Sequence, residues 1–181
     1  MFKSALFIVL LCYPAYLTSA DFSDPKAWFA YDDSAEPNNG SSKIYIESSK
    51  SGDLLAVTAK GGVTKKFQYG FAGFGVNPSS VELVNIKKAK GFKFKVNGDG
   101  RVYRVRVQTS NVKDYNYYGK IFVTKQGRLI EVQVLYSELE QESWGNRVSF
   151  NKNQITMITF QTTEQPIASF ALTIIGFELI M

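Results

Sequence analysis

The side chains that most often carry out enzymatic chemistry are scarce in this sequence. Its 181 residues include no histidine and a single cysteine, Cys12. Without histidine, neither a Ser-His-Asp nor a Cys-His nucleophile pair is available, and no imidazole can hold zinc or iron. One cysteine excludes an internal disulfide and a Cys-x-x-Cys metal site. Carboxylate chemistry, hydroxyl chemistry and binding without chemistry remain.

The adjacent carboxylates Asp32 and Asp33 are the first candidates for acid–base work, or for binding calcium from a loop. Neighbouring residues of a strand point to opposite faces of a sheet, so these two carboxylates need not act together. The glycine-rich segment 70–75 is followed by no helix start and no phosphate-binding lysine, so it indicates close contact between strands instead of a nucleotide site. No set of residues forms an active site, and we predict that the protein is not an enzyme.

A row of polar side chains on one predicted strand is a candidate binding surface. Segment 101–109 alternates between apolar and polar residues, which predicts a strand with one face in the core. The core face carries Tyr103, Val105 and Val107. The opposite face carries Arg104, Arg106 and Gln108. Two interpretations stay open for the arginines: a concave binding surface, or structural ion pairs with neighbouring acids.

A cluster of tyrosines just after this strand is a second pointer to a ligand surface. Tyr115, Tyr117 and Tyr118 follow Asp114 in a loop or at a strand start. Aromatic rings offer flat apolar area with a polar tip, as surfaces that bind sugars or proteins require. Alternation puts Tyr118 on the face opposite the other two, so at least one ring is expected to be exposed. The alternative is structural, since β-rich proteins use tyrosine freely at strand ends.

The positive charge of the chain is concentrated in its middle. The formal net charge is +5, but residues 60–128 hold 15 basic and 3 acidic residues, a net charge of +12 between two acidic flanks. Such a segment could attract anionic glycans, lipids or nucleic acid. We favour the interpretation that the lysines are solvated and protect strand edges from aggregation. We expect no nucleic-acid partner.

Residues 1–20 have the layout of a secretory signal peptide. Lys3 precedes an apolar run over residues 5–12, which is short for a membrane span, and the segment ends on Thr-Ser-Ala. We expect cleavage after Ala20, with an uncleaved N-terminal anchor as the alternative. Residues 21–181 then form a single domain without cysteine or transmembrane segment. Export without disulfides fits a secreted or periplasmic protein.

Short alternating segments separated by turn residues predict an all-β fold, an antiparallel sandwich or barrel. The predicted strands are 43–47, 91–96, 101–109, 129–134 and 170–174. Turn signals include 51–53, 61–62 and 97–100. The only segment with some helical character is a short polar stretch, 137–141.

Several motifs, in order along the chain, carry a family resemblance. They lie at 28–34 (WFAYDDS), 39–42 (NGSS), 69–75 (YGFAGFG), 90–94 (KGFKF), 98–101 (GDGR), 103–106 (YRVR), 136–139 (YSEL) and 144–145 (WG). The series resembles the complex I intermediate-associated protein 30 family and the related family 11 carbohydrate-binding modules, over roughly residues 26–179. The turn GDGR leading into YRVR is its most specific part.

The resemblance implies a galactose-binding-domain-like β-sandwich of the jelly-roll type without catalytic activity. In the carbohydrate-binding branch, tyrosines, an arginine and an aspartate on a concave sheet face hold a glucan chain. In the mitochondrial branch, the domain assists assembly of a respiratory complex by binding proteins. The last strand lacks the family's aspartate, because it reads Ile-Ile-Gly-Phe at 174–177. The candidates for a structural calcium are Asp32, Asp33 and Glu178.

We therefore predict an exported, non-catalytic, monomeric binding domain whose concave sheet face binds carbohydrate. The alternative is a protein-interaction or complex-assembly factor of the cell envelope, so the partner is a glycan or a protein. The predicted ligand-binding residues are Arg104, Arg106, Gln108, Asp114, Tyr115, Tyr117, Tyr118 and Tyr69.

Overall fold

The computed structural model describes residues 22–181. The predicted signal peptide and its cleavage site lie outside this range. Within it, no helix has the length and apolar character needed to cross a membrane.

The described chain folds into two five-stranded antiparallel sheets. Sheet A has the strand order β1-β4-β9-β6-β7, and sheet B has the order β2-β3-β10-β5-β8. The strands of sheet A are β1 (Trp28–Asp32), β4 (Ala72–Val76), β6 (Val102–Thr109), β7 (Tyr118–Val123) and β9 (Ile155–Thr162). Those of sheet B are β2 (Lys43–Ser51), β3 (Leu54–Val63), β5 (Gly91–Gly98), β8 (Ile130–Leu135) and β10 (Ile167–Ile180). The two sheets form a jelly-roll sandwich.

The core between the sheets is rich in phenylalanine. Phe160 of sheet A meets Phe94 of sheet B edge-on, with ring centroids 5.2 Å apart. Trp28 stacks on the same Phe160 ring at 6.2 Å, and Phe94 stacks on Phe177 of β10 at 6.1 Å. Buried rings of this size contribute most of the apolar area of such a core. One connected cluster therefore joins the two sheets.

The strands predicted from period-two alternation are confirmed. Each of the five segments falls in a strand of the fold, in β2, β5, β6, β8 and β10. In β6, Tyr103, Val105 and Val107 are buried, as their alternation predicts. The predicted turn at 61–62 is wrong, because both glycines lie inside β3 and pair with Ile44 and Lys43 of β2.

One helix, α1 (Ser80–Lys88), is absent from the sequence-based prediction, and the expectation that no helix start follows segment 70–75 is wrong. Its start is fixed by a capping box, in which the Ser79 hydroxyl accepts from the Glu82 backbone N–H and the Glu82 carboxylate accepts from the Ser79 N–H. The helix packs Ile86 into the core. The polar stretch 137–141, where helical character was predicted, holds only a single 3₁₀ turn, Tyr136–Glu138.

Candidate functional site

The outer face of sheet A, which points away from the core, carries three of the predicted binding residues, Arg104, Arg106 and Gln108. Strand register places two rows of side chains across its five strands. The first row contains Phe29, Gly75, Thr159, Arg106 and Gly119. The second row contains Tyr31, Gly73, Gln161, Arg104 and Ile121. Gln108 continues the face along β6, opposite Met157 of β9.

Glycine in the floor of this face allows an aromatic ring to lie flat on the sheet. A Cβ at Gly73 would come within 2.5 Å of both Cζ and Oη of Tyr31, so the ring covers the bare backbone of β4. The Tyr31 ring lies 6.1 Å from Phe29 and 6.1 Å from Phe71. Its hydroxyl donates to Gln161 Oε1 at 3.3 Å. A partly exposed ring therefore lies beside polar groups of β9.

Two arginines of β6 share one counter-charge. Glu142 Oε1 lies 3.2 Å from Arg104 Nη1, and Glu142 Oε2 lies 3.9 Å from Arg106 Nη2. Arg104 is buried and also donates to the Glu140 carbonyl oxygen at 2.7 Å. Burial lowers the pKa of Arg104, and the neighbouring Glu142 charge acts in the opposite direction. Arg104 is therefore held in a structural ion pair, one of the two predicted alternatives.

Arg106 remains more accessible to a ligand. Its Nη1 donates to Gln161 Oε1 at 2.7 Å, so Gln161 receives hydrogen bonds from both Tyr31 and Arg106. The separation of Nη2 from Glu142 exceeds hydrogen-bond length. Burial raises the pKa of Tyr31, and the Arg106 charge offsets part of that effect. Tyr31, Gln161 and Arg106 form the central group of the face, which we call the polar centre.

Tyr117 lies in the loop before β7, within electrostatic range of Arg106. Burial raises the pKa of its hydroxyl, the nearby Tyr115 adds to this effect, and the Arg106 charge opposes it. Electrostatic coupling also links Tyr117 to Tyr31. The charge of the same guanidinium therefore acts on two tyrosines from distant parts of the chain.

The buried amide of Asn116 joins the loop before β7 to the segment that carries Glu142. Its side chain donates to the Glu142 carbonyl at 3.2 Å and to the Trp144 carbonyl, and it accepts from the Glu142 N–H at 3.0 Å. Trp144 Nε1 donates to Glu142 Oε2 at 2.6 Å. This network fixes the counter-charge of the arginines and leaves the Trp144 side chain about half exposed.

The other predicted ligand-binding residues have separate roles. Asp114 accepts from the Asn146 N–H at 2.5 Å, and this hydrogen bond holds the pKa of the carboxyl below its usual range. Tyr115 is 72% exposed, next to Tyr117 at 6.3 Å. Tyr69 is exposed in the loop before β4, 5.8 Å from Phe67. Asp114 thus supports the loop, whereas Tyr115 and Tyr69 are free to contact a ligand.

Tyr118 does not belong to the outer face. It pairs with Val107, whose side chain points into the core, so its own side chain points inward as well. The ring packs on Phe150 at 5.1 Å, and the hydroxyl donates to the Val148 carbonyl. Its role is packing.

The three carboxylates predicted to bind calcium do not meet. Asp33 is fully buried and accepts hydrogen bonds from the Ser42 N–H, the Ser42 hydroxyl and the Phe71 N–H at 2.9, 2.7 and 3.2 Å. Asp32 accepts from Ser34, and Glu178 pairs with Lys93 at 3.1 Å on sheet B. Within residues 22–181, no three or more His, Cys, Asp or Glu residues gather as a metal site would require. The residues do not fit a shared calcium ion.

Sequence reasoning missed several residues of the face, notably Phe29, Gln161 and Glu142. Gln161 lies on β9, where Ile158 and Phe160 point into the core, so the same alternation that identified β6 was available there. Glu142 lies outside both sheets and carries no periodic signal. Tyr31 and Trp144 occur in the family motifs without an assigned role.

The sequence profile of Complex I intermediate-associated protein 30 matches residues 18–174. The chain belongs to the complex I intermediate-associated protein 30 family. No curated protein is significantly similar in sequence to this family member.

Solved carbohydrate-binding modules share the fold of this family member. A family 11 module from Clostridium thermocellum, in complex with a β-1,3-1,4-mixed-linked tetrasaccharide, has a TM-score of 0.58 and 15% sequence identity. The alignment covers 88% of this chain and 92% of that chain. The family 11 module of the cellulase Lic26A-Cel5E from Clostridium thermocellum has a TM-score of 0.59 and 14% identity, covering 89% and 91%. At this level of identity the likeness is one of fold.

Proposed function

We propose that this protein is an exported, non-catalytic domain that binds a polysaccharide on the outer face of sheet A. The observation that carries the proposal is the polar centre. The flat Tyr31 ring lies beside Gln161 and Arg106, which are ready to hydrogen-bond hydroxyls. A pyranose presents an apolar ring face and a rim of hydroxyls, and this combination matches it.

The charge of the face favours a neutral glycan. Glu142 offsets much of the positive charge of Arg104 and Arg106. What remains is a set of hydrogen-bonding groups between aromatic rings: Tyr31, Phe29 and Phe71 on one side, Tyr115, Tyr117 and Trp144 on the other. Such a layout suits several consecutive sugar residues. The mixed-linkage glucan bound by a module of the same fold makes that polymer the first ligand to test.

The alternative function is assembly of a protein complex at the cell envelope. Membership of the complex I intermediate-associated protein 30 family favours it, and the exposed rings of Tyr115 and Trp144 also suit a protein partner. Co-purification of a stable partner with the folded protein, lost in a Trp144→Ala variant, would support this function over glycan binding.

Titration with a mixed-linkage β-glucan tetrasaccharide tests the proposal. Tyr31→Ala and Tyr117→Ala are each expected to weaken binding at least about tenfold, the equivalent of ~1.4 kcal/mol. The melting temperature should stay within about 4 °C, since neither ring belongs to the core. Tyr45→Ala is the matched control, because Tyr45 is an exposed tyrosine of sheet B.

Two results would overturn the proposal. One is a folded protein that is not retarded in affinity gels by any soluble neutral polysaccharide. The other is glucan binding that Tyr45→Ala weakens as much as Tyr31→Ala does.

A further inference from the structure

A depression on the opposite side of the molecule has no role in the function proposed above. It lies on the outer face of sheet B, where β2, β3 and β10 meet the turn between β5 and β6. Its volume is about 570 Å³. The residues that line it and matter here are Lys43, Tyr45, Lys60, Asp99, Arg101 and Ser169. We call it the sheet B depression.

An irregularity in β10 shapes the sheet B depression. The register between β10 and β3 shifts between Ile167 and Phe170, so the segment bulges at Ala168 and Ser169. Gly62 of β3 faces this bulge, and a Cβ there would come within 2.7 Å of the Ala168 carbonyl oxygen. The absent side chain lets the bulged backbone of β10 approach β3 closely, and the depression lies beside this irregular part of the sheet.

Asp99 and Arg101 form one wall of the sheet B depression, and both side chains are engaged in ion pairs or hydrogen bonds. Asp99 accepts from the Tyr103 hydroxyl at 2.9 Å and from the Ala171 N–H at 3.2 Å, and it pairs with Arg101 Nε at 3.3 Å. Arg101 also pairs with Glu164 at 2.9 Å. These two charges are therefore already satisfied by each other and by neighbours.

Two lysines supply the remaining positive charge of the sheet B depression. Among residues 22–181, Lys43 makes no ion pair, and it lies opposite Gly62 in the strand register. Lys60 pairs with Glu47 at 3.1 Å, but both side chains are exposed. Exposed pairs contribute only about 0–1 kcal/mol, so an anionic ligand can replace Glu47. Both ammonium groups are thus available to one negative group.

Tyr45 adds a flat surface next to these charges. It lies opposite Lys60 in the register of β2 and β3 and is 56% exposed. An exposed ring beside two ammonium groups suits a ligand with both a ring face and a negative group. The carboxylates of Glu47 and Glu164 at the margin would repel a continuous polyanion such as nucleic acid, whereas sugar hydroxyls can donate to them.

We infer that the sheet B depression is a second glycan site, which binds an acidic sugar residue through Lys43, Lys60 and Tyr45. The acidic group is a carboxylate or a sulfate, since either can accept from two ammonium groups. The Ser169 hydroxyl lies at the same hollow and can hydrogen-bond the sugar. This site differs from the polar centre of sheet A in residues, sheet and charge.

Titrations of the full chain with four probes test this inference. The probes are methyl β-glucuronide, glucose 6-sulfate, the neutral mixed-linkage tetrasaccharide and a short single-stranded DNA. We expect the carboxylate or the sulfate probe to bind, and the one that binds identifies the acidic group. Binding should weaken as the salt concentration rises from a low value to 0.5 M. At 0.5 M the Debye length is about 4–5 Å, so the attraction between exposed charges is largely screened.

Charge-matched variants locate the site. The double variant Lys43→Gln/Lys60→Gln, and separately Tyr45→Ala, should weaken binding of the acidic probe about tenfold or more. The control Lys50→Gln/Lys95→Gln removes the same charge from exposed positions outside the depression and should change it by less than about twofold. Tyr31→Ala should leave acidic binding intact, and the depression variants should leave neutral glucan binding intact. Failure of the sheet A proposal is therefore distinguishable from failure of this one.

Three outcomes would overturn the inference. In the first, neither acidic probe binds the folded protein. In the second, the two double variants lose affinity equally, which would indicate nonspecific attraction. In the third, the DNA binds more tightly than both acidic probes and loses affinity in Lys43→Gln/Lys60→Gln, which would identify a nucleic-acid site instead.

Discussion

Asp33 illustrates how a residue that looks functional can serve the structure. Its buried carboxylate accepts three hydrogen bonds that tie the end of β1 to Ser42 before β2 and to Phe71 before β4. The Gly40 N–H donates to its carbonyl oxygen at 2.8 Å. The loop geometry beneath the aromatic residues of the sheet A face therefore depends on Asp33.

Replacing Asp33 should destabilise the protein, whereas replacing its neighbour should not. Asp33→Ala leaves buried donors unpaired, and we expect a loss of about 3 kcal/mol in the free energy of unfolding. Asp32→Ala is the matched control and should cost less than about 1 kcal/mol, since the Asp32 carboxylate is only partly buried and accepts hydrogen bonds from the neighbouring Ser34. Urea denaturation monitored by tryptophan fluorescence measures both. Equal losses would contradict the structural role of Asp33.

At the residue scale, the sequence predicts the part of the face that lies on one strand. Arg106 and Gln108 are placed on the outer face by the alternation of β6 alone. The hydrogen bond between Tyr31 and Gln161 joins residues 130 positions apart in the chain, and one sequence cannot indicate that pairing. Alternation predicts that Tyr118 faces away from Tyr115 and Tyr117, but only its register with Val107 shows that its side chain points inward.

At the scale of elements, β4 is defined by the close approach that its glycines permit. Gly73 lies beneath the Tyr31 ring, and Gly75 lies beside Thr159, whose Cγ2 would be 2.7 Å from a Cβ at that position. The close strand contact predicted for the glycine-rich segment is confirmed. Which strands meet there is not evident from one sequence, because the pairing with β1 and β9 is non-local.

Adding a methyl group to β4 should disturb the binding face. We expect Gly73→Ala to push the Tyr31 ring off the sheet, lowering glucan affinity at least about tenfold and stability by about 1–3 kcal/mol. The two effects should be coupled. In a Tyr31→Ala background, the same substitution should cost less stability, and a double-mutant cycle by denaturant unfolding measures the difference. Strict additivity would contradict the contact.

Helix α1 cannot be predicted from hydrophobic periodicity. The helix has only nine residues, and Val81 and Val84 are exposed on it, so its apolar positions form no clear stripe. The sequence does contain a local signature of a helix start, a serine followed three residues later by a glutamate. In the structure these two residues, Ser79 and Glu82, form the capping box.

For the molecule as a whole, the sandwich depends on contacts that cross between the sheets. Phe160 meets Phe94 of the other sheet at 5.2 Å and, within its own sheet, Phe74 at 5.3 Å and Trp28 at 6.2 Å. Because it is fully buried, removing its ring leaves a cavity at the centre of the core. The all-β class followed from alternating segments, but the order of strands in each sheet did not, since neighbours such as β3 and β10 are far apart in sequence.

Truncating this central ring should affect the global transition. Phe160→Ala is expected to lower the free energy of unfolding by about 3–5 kcal/mol. Leu129→Ala, at an exposed apolar position, should change it by less than about 0.5 kcal/mol. Thermal and urea unfolding followed by circular dichroism give both values. A loss below that of the control would show that the sheets do not share one core.

Because of the position of Glu142, the charge of the sheet A face and the shape of that face depend on different parts of the chain. The carboxylate that balances Arg104 and Arg106 comes from a segment outside both sheets and is held there by Asn116. The strength of the positive potential over the sheet A face thus depends on a connecting segment, while the strands set the shape of that face. Exchange of that one segment would convert the same scaffold from a neutral-sugar surface to an anion-selective one, without repacking a single core residue.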